Sequence, residues 1–162
     1  MGSEMCIRDS KKILAYHDRS DGGLITTLIE MSFASRLGLE INLDSVLEDN
    51  EKLVDFLFNE ELGVVIQVHT KDLDYVYELL DVSSLKDHSH NLGCISKEKE
   101  INFSYRDKRI LSFPLKVLIE NWHKVGFEIQ SLRDNPITAE AEFRHCLLYT
   151  SPSPRDLSTS RM

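Results

Sequence analysis

The side chains best suited to chemistry lie together in the segment AYHDRSDGGL, residues 15–24, directly before an apolar run. The segment holds two aspartates, a serine and a pair of glycines. A carboxylate is a hard oxygen ligand that suits Mg²⁺, and a Gly-Gly step lets the backbone approach a phosphate closely. The first turn of the following helix adds free N–H groups and the positive end of the helix dipole. The segment therefore indicates one edge of a magnesium–nucleotide or phosphate site.

A purely structural interpretation of the same residues stays open. In that interpretation Asp21 is the N-cap of the following helix, and Gly22 and Gly23 form the turn before it. His17 and Arg19 flank the first aspartate. Each is either a phosphate contact or a packing residue, and packing is the more common role.

Apolar spacing predicts a mixture of helices and strands around this segment. Helices are expected at 23–37, after Asp44-Ser45, at 71–80 and after Pro114, and strands at 39–43, 63–68, 91–96, 101–105 and 109–113. The last two strands are expected to form a hairpin around 106–108, and the β-branched run 63–68 is typical of a central strand. Gly38 fits the position just after the first helix, and Trp122 is expected in the core. The mixture predicts an α+β fold with a mixed sheet instead of a doubly wound parallel one.

The composition is that of an ordinary globular domain and argues against two classes of partner. Of the 162 residues, 41% are hydrophobic and 28% are charged. The 27 acidic against 19 basic side chains argue against sequence-independent nucleic-acid binding, which needs a basic surface. Since no apolar run approaches the roughly 20 residues that span a bilayer, we also expect no membrane partner. No pattern of a secretory signal opens the chain.

The two ends of the sequence differ from the middle in composition and periodicity. Residues 1–10 show no periodicity, and the stretch from Cys146 onward is rich in Ser, Pro and Arg. Both resemble translated sequencing-adapter sequence, so we expect a domain at 11–143 and non-native segments at 1–10 and 144–162, the latter disordered. A natural disordered tail is the alternative. Because Cys94 is the only cysteine in 11–143, no intrachain disulfide is expected there.

The remaining polar pairs carry weaker signals. Glu60 and Glu61 are adjacent, and in a strand their side chains would point to opposite faces, which is unsuited to an acid–base couple. His88, His90 and Cys94 fall short of the roughly four ligands that zinc takes. Cys94 is therefore expected to be a buried small hydrophobe. No Walker A, GxGxxG or GxSxG sequence occurs.

Three blocks in a fixed order carry a family resemblance: AYHDRSDGGL at 15–24, FNEELGVVIQV at 58–68 and SLRDNP at 131–136. Together they resemble the phosphoribosylformylglycinamidine synthases of the large single-chain form. The resemblance covers about residues 11–143 and is weakest between 81 and 108. It implies the second of two AIR-synthase C-terminal-like domains, a mixed α/β sandwich layer that packs against a partner domain.

The resemblance also implies a function. The family consists of cytoplasmic, ATP- and glutamine-dependent ligases that convert formylglycinamide ribonucleotide to formylglycinamidine ribonucleotide in de novo purine biosynthesis. It implies that Asp18 ligates Mg²⁺ and that Ser20 contacts ATP or ADP, with Asp21, Gly22 and Gly23 as weaker nucleotide contacts. The nucleotide is either the reacting one or a structural one, and no catalytic residue is assigned.

Implied partners are small-molecule substrates and the other domains of a longer chain. One of these domains is a glutaminase that supplies ammonia, and without the others the fragment is expected to be inactive. Two alternatives stay open. In the first, the chain is a stand-alone, non-catalytic nucleotide-binding or scaffold module. In the second, it is a small ATP-dependent kinase or synthase that shares only the SDGG step.

Overall fold

The computed structural model describes residues 12–47 and 52–148. The chain divides into two compact units, Met1–Ser112 and Phe113–Met162. The expected non-native segment at 1–10 and the residues beyond 148 lie outside the described residues. The domain limits of 11 and 143 therefore stay predictions.

The first unit alternates strands with helices. Its elements are β1 (Ile13–Asp18), α1 (Gly23–Ser35), β2 (Gly38–Asn42), α2 (Leu53–Phe58), β3 (Val64–Val68), α3 (Leu73–Val82), β4 (Gly93–Ser96), β5 (Glu100–Tyr105) and β6 (Lys108–Pro114), with 3₁₀ turns at Thr70–Asp72 and Lys86–His88. The helices and strands predicted from apolar spacing are confirmed in kind and order. Part of the expected start of α2, residues 48–51, lies outside the described residues.

A four-stranded mixed sheet has the strand order β4-β2-β5-β6. Its strand β2 runs antiparallel to β4 and parallel to β5. Arg106 and Asp107 link β5 to β6, and both have positive φ, 49° and 58°. Two such residues make the tight turn that suits the twist of a hairpin. The predicted hairpin and the predicted α+β class with a mixed sheet are therefore confirmed.

The buried amide of Asn102 connects three strands of this sheet. Asn102 is 2% exposed. Its Nδ2 donates to Glu40 Oε1 at 2.7 Å, and its Oδ1 accepts from Ser112 Oγ at 2.8 Å. A buried polar group without partners destabilises a fold, whereas a satisfied one specifies a single arrangement. These two hydrogen bonds therefore favour the register in which Glu40 lies opposite Asn102.

The apolar core of the first unit draws on α1, α2 and the four-stranded sheet. Leu28 of α1 is 4% exposed and Leu57 of α2 is 1% exposed, while Ile101 and Phe103 of β5 are fully buried. Full burial of one such side chain contributes about 1.5–3 kcal/mol. Because α1 packs against both α2 and β1, this burial fixes the position of the residues that precede α1.

A separate two-stranded sheet joins β1 and β3 in antiparallel pairing. Tyr16 lies opposite Ile66, and Asp18 lies opposite Val64. Within residues 12–47 and 52–148, β3 has β1 as its single neighbour, and Val64 is 57% exposed. The expectation that 63–68 is a central strand is therefore wrong. β-branched residues favour strands in general, and their presence does not determine how many neighbours a strand acquires.

Gly38 begins β2 and is not the residue that ends α1. Arg36 takes the left-handed conformation there, with φ of 55°, so the expected C′ role of Gly38 is wrong. A Cβ at Gly38 would collide with the backbone carbonyl oxygens of Glu98 and Glu100. Glycine is needed at this position because another backbone segment approaches the strand closely.

The second unit is helical, with α4 (Leu115–Arg133) and α5 (Pro136–Leu148). The rings of Phe127 and Phe143 stack with their centres 4.6 Å apart. The helix α5 was not predicted from the sequence, although proline is well tolerated in the first turn of a helix. Trp122 is 55% exposed, so its expected place in the core is wrong. Helical spacing shows which residues share a face, but not whether that face is covered.

An ion pair attaches the residue before β1 to the turn before α3. Lys12 Nζ donates to Asp72 Oδ1 at 2.6 Å and lies 4.3 Å from the centre of the Tyr75 ring. The hydrogen bond from Lys12, reinforced by its charge, holds the pKa of the Asp72 carboxyl below its ordinary value of 3.8. The pair therefore makes the attachment of β1 sensitive to acid.

We expect Asp72→Asn to destabilise the chain at neutral pH and to lose this effect in acid. Because folding lowers the pKa of Asp72, its stabilisation is present above the unfolded pKa and is lost as the pH falls through the lowered folded pKa. Unfolding midpoints of wild type, Asp72→Asn, Lys12→Met and the double variant, measured from about pH 2 to pH 7, give the coupling. A coupling that does not change over this range contradicts the expectation.

Candidate functional site

Asp18 and Ser20 lie on the exposed side of the chain where β1 ends. Side chains along β1 alternate between half-buried and exposed, and Asp18 is the last of the exposed set. Its side chain is 71% exposed, and Ser20 is also exposed. Alternation in an extended chain sends every second side chain to the same side. The Asp18 carboxylate and the Ser20 hydroxyl, two residues apart in the sequence, are therefore both exposed to solvent.

His17 and Arg19 occupy the intervening positions and contact the fold. His17 Nε2 lies 2.8 Å from Glu30 Oε2 of α1, and its Nδ1 is hydrogen-bonded to the Asp18 carbonyl oxygen at 2.7 Å. Arg19 Nη2 donates to the Phe56 carbonyl oxygen at 2.9 Å, and the guanidinium carbon lies 5.9 Å from the centre of the Phe56 ring. Both residues are bound within the fold, which agrees with the packing role considered for them above.

Gly22 and Gly23 form a left-handed turn that leads into α1. Their φ values are +83° and +73°. Gly22 is the N-cap residue, with no capping side chain, so the structural interpretation was wrong about Asp21 and right about the glycine turn. Two threonines close the first turn instead: Thr26 Oγ1 donates to the Gly22 carbonyl oxygen at 3.1 Å, and Thr27 Oγ1 to that of Gly23 at 3.2 Å.

The N–H groups of both glycines already have partners in the chain. The Gly23 N–H donates to the Ser20 carbonyl oxygen at 2.9 Å. The Gly22 N–H donates to Glu60 Oε1, also at 2.9 Å. The turn is therefore held in shape by its own hydrogen bonds and by one carboxylate from a distant segment.

Glu60, which the sequence presented only as half of a carboxylate pair, contacts the turn. Glu60 and Glu61 are exposed and lie in the loop between α2 and β3. Glu60 reaches the turn at Gly22, 38 residues earlier in the chain. The FNEELG block contains the residue, but nothing in its spacing shows that the pairing of β1 with β3 brings it to Gly22.

His88, His90 and Cys94, the other residues considered for metal binding, lie far from this turn in the sequence. Within the described part of the chain, no group of three or more His, Cys, Asp or Glu side chains could hold a metal ion. Cys94 is exposed, so the expectation that it is buried was wrong. Asp18 could therefore supply one ligand to a metal whose other ligands come from substrate, water or another part of a longer chain.

A helix that crosses a bilayer needs about 20 predominantly apolar residues. None of the helices within residues 12–47 and 52–148 meets the requirements of length and apolar character.

The similarity of the chain to known proteins identifies its class. The chain belongs to the family of AIR synthase related proteins, C-terminal domain, whose model matches residues 3–105. It is 45% identical over 135 residues to phosphoribosylformylglycinamidine synthase of Saccharomyces cerevisiae and 42% identical to that of Schizosaccharomyces pombe. The resemblance drawn from the three sequence blocks is confirmed. The alignments cover 81% and 82% of this chain but 10% of each relative, so the chain spans about a tenth of their length.

Solved structures share the fold at low identity. T. maritima PurL complexed with ATP matches with a TM-score of 0.61 and 16% identity over 72% of this chain and 20% of that chain. The complex of the same protein with FGAR gives a TM-score of 0.60 over 72% and 19%. The HypE–HypF complex matches with a TM-score of 0.54 and 18% identity over 68% and 38%. At such identities the likeness shows the fold alone.

We expect Gly23→Ala to destabilise the first unit by about 2 kcal/mol or more, because it adds a Cβ at positive φ in a filled space. That Cβ would lie 2.6 Å from the Phe58 carbonyl carbon and 2.7 Å from the Leu57 oxygen. Gly63→Ala is the matched control, since its Cβ would meet Arg19 Cδ at an ordinary 3.5 Å. Urea unfolding of both variants measures the difference. Equal effects of the two substitutions would show that Gly23 is not closely packed.

Proposed function

We propose that this chain is part of a phosphoribosylformylglycinamidine synthase and contributes one wall of its magnesium–nucleotide site. The observation that carries the proposal is the exposed Asp18 carboxylate beside the exposed Ser20, at the end of β1. The identity of 45% and 42% to two yeast synthases supports the choice of enzyme. T. maritima PurL, which shares the fold, forms a complex with ATP, and this supports a nucleotide as the ligand.

In the proposed site, Asp18 supplies one oxygen ligand to Mg²⁺ and Ser20 donates its hydroxyl to a nucleotide oxygen. When bound, Mg²⁺ offsets the negative charge of the phosphates. Asp21, Gly22 and Gly23 shape the turn and lie next to the nucleotide. Since the Gly22 N–H is bonded to Glu60 and the Gly23 N–H to Ser20, the side chains of Asp18 and Ser20 are the principal contacts. The nucleotide is the reacting one or a structural one.

The proposed reaction of the whole enzyme is the conversion of formylglycinamide ribonucleotide to formylglycinamidine ribonucleotide. ATP activates the amide oxygen, ammonia released from glutamine by a glutaminase domain replaces that oxygen, and ADP and phosphate leave. The enzyme is a ligase of purine biosynthesis, and a cytoplasmic location is part of the proposal. Because Asp18 is a single ligand, the other domains complete the site. Turnover of formylglycinamide ribonucleotide by the 162-residue chain alone would contradict this composite site.

The outer face of β1–β3, formed by Leu14, Tyr16 and Val64, supports the existence of such partner domains. These side chains are 45%, 60% and 57% exposed. Leu14 and Tyr16 share the exposed side of β1 with Asp18, and Val64 is paired with Asp18 across the two strands. An apolar sheet face that is open to solvent marks an interaction surface. In the proposal, another domain of the parent chain covers this face and brings the remaining ligands toward Asp18.

We expect Asp18→Asn in the full-length protein to weaken the magnesium-dependent binding of ADP by at least about tenfold, because the amide carries no charge for the cation. Ser20→Ala is expected to weaken ADP binding while leaving its dependence on magnesium concentration unchanged. Asp87→Asn, an exposed aspartate in the turn Lys86–His88, is the control. Titration calorimetry at several magnesium concentrations measures all three. Wild-type affinity in Asp18→Asn would remove the basis of the proposed site.

We expect the 162-residue chain to bind an apolar fluorescent dye and to self-associate through the outer face of β1–β3. Tyr16→Lys is expected to lower both effects, because it places a charge in the middle of the apolar face. Val82→Lys changes a residue of α3 that is 86% exposed and serves as the matched control. Dye fluorescence and sedimentation velocity provide the measurements. A monodisperse wild-type chain that binds no dye would contradict the partner-domain argument.

A further inference from the structure

We propose that Arg19 and Glu60 are positioning residues that clamp the turn 18–23 onto the segment 56–63 and so determine where Asp18 and Ser20 stand. The inference rests on the proposed function for what the turn binds. It goes beyond that function by assigning a role to two residues that are not themselves proposed as ligands. The contacts that carry it all lie within the described part of the first unit.

Arg19 attaches the turn at two points. Its backbone N–H donates to the Gly63 carbonyl oxygen at 2.8 Å, which continues the β1–β3 pairing beyond the last strand residue. Its Nη2 donates to the Phe56 carbonyl oxygen at 2.9 Å, in the last turn of α2. Its Nε is buried without a hydrogen-bond partner.

Glu60 attaches the other end of the turn. Its Oε1 accepts from the Gly22 N–H at 2.9 Å, and Gly22 is the N-cap residue of α1. A carboxylate is favoured there because the N-terminus of a helix carries partial positive charge. Directly after Gly22, Gly23 packs against the backbone of Phe58 without room for a Cβ. The turn and the segment 56–63 are therefore joined at Arg19, Gly22 and Gly23.

The clamp matters because the side chains of the proposed ligands, Asp18 and Ser20, are exposed and do not fix their own positions by packing. The Asp18 carboxylate is mostly exposed, and its Oδ1 lies 3.7 Å from His17 Nδ1. The Ser20 side chain is exposed. The positions of both side chains are determined by the backbone of the turn, which Arg19 and Glu60 hold in place. Since a misplacement of about 1 Å can cost orders of magnitude in a binding or catalytic constellation, loss of the clamp is expected to weaken ligand binding without removing a ligand.

The opposite role for Glu60 predicts an opposite result. If its carboxylate stood where a phosphate binds, removing it would strengthen nucleotide binding. Glu60→Ala thus distinguishes a clamp from a competitor by the sign of the change. Glu60→Gln keeps an oxygen that can accept from the Gly22 N–H, so it is expected to restore most of what Glu60→Ala loses. Glu61→Ala is the control, since it removes an equal charge from an exposed neighbour.

The first measurement is amide hydrogen exchange of the 162-residue chain. We expect the Gly22 amide to exchange at least about tenfold faster in Glu60→Ala than in wild type or Glu61→Ala, because the hydrogen bond that protects it is lost. An unchanged rate overturns the clamp directly. This readout does not depend on any nucleotide, so it tests the clamp even if the proposed function fails.

The second measurement is the affinity of the full-length protein for magnesium–ADP. We expect about tenfold weaker binding in Glu60→Ala, equivalent to about 1.4 kcal/mol, near-wild-type binding in Glu60→Gln, and no change in Glu61→Ala. Unchanged or tighter binding in Glu60→Ala overturns the positioning role. Asp18→Asn separates the two hypotheses: if it has no effect, the proposed function fails, and if it weakens binding while Glu60→Ala does not, the clamp alone fails.

Discussion

The antiparallel pairing of β1 with β3 is the constraint on which the candidate site depends. It places Asp18 opposite Val64, and the hydrogen bond from the Arg19 N–H to the Gly63 carbonyl oxygen extends it by one step. Because β1 ends and β3 begins at this end of the pair, the turn before α1 and the loop before β3 meet there. The contact between Gly22 and Glu60, across 38 residues of sequence, follows from this pairing.

Because side chains alternate along an extended chain, neighbouring residues of the turn face opposite sides and have different roles. His17 and Arg19 point toward the fold, where they contact Glu30 and the Phe56 carbonyl oxygen. Asp18 and Ser20 point to solvent and stay available to a ligand. A site built this way gains rigidity from His17 and Arg19, while the side chains of the proposed ligands stay exposed. The arrangement suits a site whose remaining parts come from elsewhere in a longer protein.

Local patterns were sufficient for most elements and insufficient for burial. Helical and strand spacing, together with the hairpin at Arg106-Asp107, predicted most elements because these depend on neighbours within a few residues. The strand β1 and the helix α5 were not predicted. The same patterns misplaced Trp122 in the core and took 63–68 for a central strand, although Trp122 is 55% exposed and Val64 57% exposed. Apolar character shows that a face tends to be covered. Whether it is covered depends on packing partners that local spacing does not specify.

The sequence by itself determined which groups the turn carries, a carboxylate, a hydroxyl and two glycines before a helix, and the family to which the chain belongs. It also determined the class of fold, through the periodicity of its apolar residues. Only the tertiary structure decided that Glu60 meets Gly22 and that Arg19 reaches the Phe56 carbonyl oxygen. The physical reason is that such contacts follow from strand pairing and register between distant segments, whereas sequence patterns report the preferences of residues that are close along the chain.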